Sequence, residues 1–246
     1  MKYFTNSKLI FIFFIFLIIF VAQGYFCKYL ILNFCSYGFF INFWEETGLI
    51  ENMQSLLLVT AIFYLYKARS NFKHIKIISY FIAIKILALI YFLGEEISWG
   101  QHFFNWESPG FFEYKNNQQE TNFHNISNLF DQLPRTLVLL WCGLTPFCVV
   151  FVKKFINLDK KILFILYPNK KLIYISSIIL FFVIPDLIVD KFDFHPGHVD
   201  QFGKDITAAI FYDIISFNFI RLSELHELLF TFYFANYALY LNKKTF

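Results

Sequence analysis

The sequence predicts an all-α integral membrane bundle of about six transmembrane helices, with interfacial or re-entrant segments on the outer side. Three observations predict it. Hydrophobic residues make up 58% of the chain and charged residues 16%, against roughly a quarter charged in a soluble domain. Aromatic residues reach 23%, with 37 Phe, more than a soluble core can hide but readily accepted by a bilayer. Apolar runs approaching the ~20 residues of a crossing helix recur along the chain. The net charge of +3 gives neither a nucleic-acid footprint nor an acidic tail, so no nucleic-acid partner is expected and membrane lipids are the expected surroundings.

The whole chain, residues 1–246, reads as a single polytopic domain. The first span is Leu9 to Ala22, behind Lys2 and Lys8. Ala22-Gln23-Gly24 resembles a cleavage site, but apolar sequence continues past Gly24 without a polar break, so an uncleaved span is expected. Further spans run from about Leu49 to Tyr66, Ile75 to Gly94, Leu137 to Val152, Leu172 to Val189 and Leu225 to Leu241. Tyr25 to Phe43 and Ile206 to Leu222 are interrupted by polar residues and read as interfacial or re-entrant helices.

Lys and Arg orient the spans. Fourteen of the 21 fall in the two termini and in alternate loops, at Lys67 to Lys76 and Lys153 to Lys171. These segments belong on one side, which predicts an integral membrane protein with both termini cytoplasmic. On that map 17 of the 18 Asp and Glu, and five of the six His, fall outside or at outer helix ends. Acids contribute little to orientation, so this asymmetry needs a cause of its own.

Three helix ends supply the outer acids: Glu45, Glu46 and Glu51; Glu95 and Glu96; Glu224 and Glu227. Asp186 and Asp190 join them from the fifth span. A carboxylate at membrane depth is costly and usually faces the bundle interior with a partner. A helix continuing past Gly94 would put Glu95, Ser98, Trp99 and His102 on one face, and Glu224 and Glu227 are also one turn apart. Carboxylates and a histidine so gathered could share a proton or hold a divalent cation. Glu95, Glu96, His102, Glu224 and Glu227 are therefore the catalytic candidates. Glu51, Glu95, Glu96 and His226 are the candidates for a divalent metal. The bland alternative is that helix ends are where charged residues normally meet headgroups and water.

The outer loop, Phe103 to Arg135, is dense in amides from Asn116 to Asn125. Amides donate and accept, so the loop could cap a polar cavity or read a headgroup; the alternative is a solvated loop. Asp193, His195, His198 and Asp200 form a weak metal pattern, since Pro196 and Gly197 make the segment a turn. Lys85, at mid-span, could snorkel or pair with an acid, and no role is assigned to it. Cys142 and Cys148 read as small hydrophobes, and Cys27 with Cys35 could pair in an oxidising compartment. No Walker, Rossmann, G-x-S-x-G or H-E-x-x-H motif is present.

The strings GEEISWGQ, NWESP and QQETNFHN, together with Glu51, resemble a signature of uncharacterised bacterial polytopic membrane proteins. The resemblance covers roughly Glu45 to Asn125 and implies no established activity. It marks Trp99, Gln101, Glu120, Asn122 and His124 as substrate-binding candidates beside Glu51, Glu95 and Glu96. A second, partial similarity is to alkaline-ceramidase-like membrane hydrolases, whose Ser-x-x-x-His element is matched by Ser98 and His102. His226 lacks the second histidine of that family's pair, and six spans stand where seven are usual.

The leading expectation is an outward polar site binding or acting on a lipid or lipid-linked substrate. The alternatives are an ion-coupled transporter, against which the lack of an internal repeat counts, and a non-catalytic assembly subunit.

Overall fold

The computed structural model describes residues 11–19, 21–22, 48–116, 120–123, 126–156, 160–167, 169–191 and 222–243. Among these residues every regular element is helical. The first helix, α1, covers 11–19. It is followed by α2 (Leu49–Asn71), α3 (Lys76–Glu96), α4 (Gly110–Lys115), α5 (Asn128–Leu139), α6 (Thr145–Val152), α7 (Lys160–Leu166), α8 (Leu172–Lys191) and α9 (Leu222–Asn242).

Among the described residues three stretches are long and apolar enough to cross a membrane: α2, α3 and the run Gln132–Val152. At ~1.5 Å per residue, α2 and α3 each exceed the ~30 Å of a hydrocarbon core. The turn joining them is short, so they are antiparallel neighbours. It is fixed by Phe72 and Ile75 N–H groups donating to Arg69 and Phe72 carbonyls, and by Arg69 Nε donating to Ser79 Oγ at 3.3 Å.

The other expected spans also meet helices. Leu9 to Ala22 meets α1. Leu172 to Val189 meets α8, whose continuous apolar part is Leu172–Pro185. Leu225 to Leu241 meets α9. Tyr25 to Phe43, residues 206–221, Cys27, Cys35 and the stretch from Asp193 to Asp200 lie outside the described residues.

The fourth span departs from the sequence reading. Its helix begins at Asn128, well before Leu137 and inside the expected outer loop. Ser127 is extended, and its Oγ accepts from Phe130 N, the N-cap arrangement that starts a helix. Between α5 and α6 the run passes through a π-helical turn, Leu140–Leu144. Pro146 explains that turn: it has no N–H to give to the carbonyl four residues earlier, that of Cys142. The freed Cys142 carbonyl accepts from Ser176 Oγ of α8 at 2.5 Å, and Thr145 Oγ1 donates to Leu140 O at 3.0 Å.

By its contacts the chain divides into two compact units, one combining Met1–Ile50 with Ile178–Glu227, the other Glu51–Ser177 with Leu228–Phe246. Phe13, Leu17, Ile50, Ile179, Phe182 and Leu225 are buried in the first. In the second, Leu58, Ala61, Leu65, Ala68 and Phe72 form the buried stripe of α2, while Leu56, Val59, Phe63 and Tyr66 face outward. That exposed apolar face suits hydrocarbon as its solvent. The α9 segment from Leu228 to Ala238 is buried on all sides, as a central helix must be.

Candidate functional site

The helix α3 stops at Glu96, where the expected continuation past Gly94 fails. Ile97 N–H still donates to Leu93 O, but Ser98, Trp99 and Gly100 turn left-handed, at φ 45°, 55° and 102°. Gly100 adopts this region freely, whereas for Ser98 and Trp99 it costs roughly 1–2 kcal/mol each. The helical face proposed for Glu95, Ser98, Trp99 and His102 therefore does not exist. Strain of this kind persists only where the surroundings over-determine it.

Those surroundings are a closed set of hydrogen bonds. Trp99 folds back so that its ring lies against Gly94, where a Cβ would meet ring atoms at 2.9 Å. From there Trp99 Nε1 donates to Glu95 Oε1 at 2.8 Å. The other oxygen, Glu95 Oε2, accepts the Phe123 backbone N–H at 2.7 Å. Glu95 is only 5% exposed, so two well-placed donors are what make its burial tolerable.

A second set sits beside it. Ser98 Oγ donates to Glu120 Oε2 at 2.9 Å and accepts from Asn122 Nδ2 at 3.1 Å. Asn122 Nδ2 also reaches Glu120 Oε2 at 2.5 Å. Asn116 Nδ2 donates to Glu120 O and to Asn122 Oδ1, at 2.8 and 2.7 Å. Ser98, Asn116 and Asn122 are all buried. Gln101 binds both edges of the loop: its Oε1 accepts from Thr121 N at 2.7 Å, and its Nε2 donates to Trp106 O and Ser108 Oγ. Trp106 Nε1 closes the set on Thr121 Oγ1 at 3.1 Å.

Around this knot stands a rim of exposed apolar side chains. Phe103, Phe104, Phe111 and Tyr114 are exposed at 64, 77, 60 and 85%. Phe104 stacks on Trp106 with ring centroids 6.0 Å apart, and Phe123 bridges Phe112 and Phe130 at 5.3 and 6.2 Å. The following helix, α5, continues the rim with Leu129, Phe130, Leu133 and Leu137 exposed. A polar scaffold bearing aromatic rings at the end of a membrane-length helix has the make-up of an interfacial belt.

Of the sequence candidates, Glu95, Trp99, Gln101, Glu120 and Asn122 are brought together here. Glu96 is half-buried at the helix end. His102 lies in the single helical turn Gln101–Phe104, and nothing is described of its side chain; His124 falls outside the described residues. Glu51 opens α2, while Glu224, His226 and Glu227 belong to the other compact unit, at the start of α9. Among the described residues no group of three His, Cys, Asp or Glu could hold a metal ion. Two contributors escaped the sequence reading: Gly94, as the floor under Trp99, and the Phe123 backbone N–H. The spacing of Gly94 to Trp99 carries no rule that would have exposed the first. Comparisons with protein-family models, with curated proteins and with solved structures find no match to this chain.

Proposed function

We propose that the chain is an integral inner-membrane protein of about six spans, both termini cytoplasmic, whose segment from Gly94 to Leu139 binds the headgroup of a lipid or lipid-linked substrate at the non-cytoplasmic boundary. The observation that carries this reading is the internally bonded, strained knot under a rim of exposed aromatic rings. Such a knot holds its shape without a ligand, and rings on a rigid support settle at headgroup depth with little entropy to lose. Orientation rests on the Lys and Arg distribution.

The chemistry divides between scaffold and contact. Glu95, Ser98, Gln101, Glu120 and Asn122 keep the loop in place through hydrogen bonds to one another, to Trp99 and to the loop backbone. Headgroup contact falls to Trp99, Trp106 and the amide-rich edge near His124. Any acid–base step on a bound lipid falls to Glu96 with His102 or His124. A divalent metal has no support among the described residues.

The test is a phospholipid carrying a photoactivatable headgroup, reconstituted with the full chain in nanodiscs. Label concentrated on peptides from Gly94 to Leu139 supports the reading. Label confined to the outward faces of α2 and α3 overturns it. A single cysteine in place of Ser108, reached by an impermeant maleimide from outside intact cells, checks the orientation.

A further inference from the structure

Lys85 is the tenth of the 21 residues of α3, about 14 Å from its start and so near mid-depth. Neither expected fate holds. Its Nζ neither snorkels nor meets an acid: it is buried without a hydrogen-bond partner among the described residues. It lies 3.5 Å from the ring centroid of Trp141, 3.7 Å from that of Tyr237 and 5.0 Å from that of Phe81. Trp141 comes from the π-helical turn and Tyr237 from the buried α9. Ile82, Leu89 and Ile78 share the buried stripe of α3 with Lys85.

Donor counting singles this place out. The ammonium has three N–H donors, an indole one and a phenol one. Trp141 Nε1 and the Tyr233 hydroxyl are also buried without partners, and Tyr233 stacks on Tyr237 at 6.3 Å. Of the neighbouring acceptors, the Cys142 carbonyl already accepts from Ser176 Oγ, and the Tyr237 hydroxyl, which donates to Ile165 O, receives no hydrogen bond from Lys85 Nζ. The Asn236 Oδ1 acceptor makes no hydrogen bond to any of them. Each ring face contributes roughly 0.5–2 kcal/mol to a cation, while burying an ion costs several kcal/mol and each unmet donor about 1–3. The rings alone therefore leave the ammonium short of compensation.

We infer that the Lys85 cage binds the acceptor oxygen of an apolar molecule dissolved in the bilayer. Ile84 and Ala88, which flank it on one side of α3, are exposed and face hydrocarbon, so approach is from the lipid side. A long-chain carboxylate and a quinone each carry such an oxygen on an apolar body. Entry needs the Trp141 ring to swing off Nζ. The π-helical turn that carries it interrupts the α-helical hydrogen-bond ladder.

Indole quenching in nanodiscs tests this on the full chain, with brominated stearate and a short-tailed quinone as probes. The expected result is a saturable component, absent in Trp141→Phe, whose half-saturation rises roughly tenfold or more in Lys85→Met, a loss equivalent to about 1.4 kcal/mol. Saturation by the brominated acid but not its methyl ester assigns a carboxylate; saturation by the quinone alone assigns a carbonyl. Absence of any saturable component in the unmodified chain with both probes overturns the inference, whatever the variants do. Equal saturation in Lys85→Met overturns it as well.

Discussion

The two polar regions of the larger unit are built on opposite principles. In the knot from Gly94 to Phe123, donors and acceptors at the helix end close on partners that the chain brings back from farther along the sequence. At Lys85 the ammonium, the Trp141 indole and the Tyr233 hydroxyl are buried without a hydrogen bond among the described residues. A closed set resists change and serves as a support. An open set in a dry place calls for something from outside. The difference separates residues that hold shape from residues available for binding, a distinction that residue type alone does not reveal.

Substitutions can sharpen or break that contrast, read as thermal unfolding of the purified protein. Asn122→Ala should be the most harmful, at about 3 kcal/mol or more, because it removes three side-chain hydrogen bonds at once, with Asn116, Ser98 and Glu120. Gly94→Ala follows at roughly 1–3 kcal/mol, since the new methyl pushes Trp99 off its seat and loosens Glu95. Gly100→Ala should cost about 1–2 kcal/mol through its positive φ alone. Trp106→Phe keeps the stacked ring and loses one exposed hydrogen bond, so about 0.5–1 kcal/mol is expected. Lys85→Met should be the smallest of all, neutral or stabilising, because an apolar side chain of similar length removes a buried charge. Lys85→Met proving as damaging as Asn122→Ala would erase the contrast and make the cage a structural lock.

Much of the helical framework was legible in the sequence, for a physical reason. Long apolar runs in α2 and α3 have one solution in a bilayer, which leaves no backbone group unpaired. The early start of α5 was legible in principle, from Ser127 ahead of an amphipathic stretch, but the amide-rich context masked it. The knot was legible only as a list of residues. Nothing local in ISWGQ demands three left-handed residues; the demand comes from Glu120, Asn122 and Phe123, which the chain returns much later. The Lys85 cage depends likewise on rings from two remote helices and on a π turn set by Pro146. Residue types were therefore readable, while their roles depended on non-local pairing.

The central claim is that the segment from Gly94 to Phe123 is a preorganised support and not a solvated loop. Amide hydrogen exchange of the full chain in nanodiscs tests it most directly. The Phe123 and Thr121 amides, held by Glu95 and Gln101, should exchange roughly 100-fold or more slower than in an unstructured peptide, and Gly94→Ala should release Phe123. Exchange of both amides at unstructured rates in the unmodified protein would contradict it.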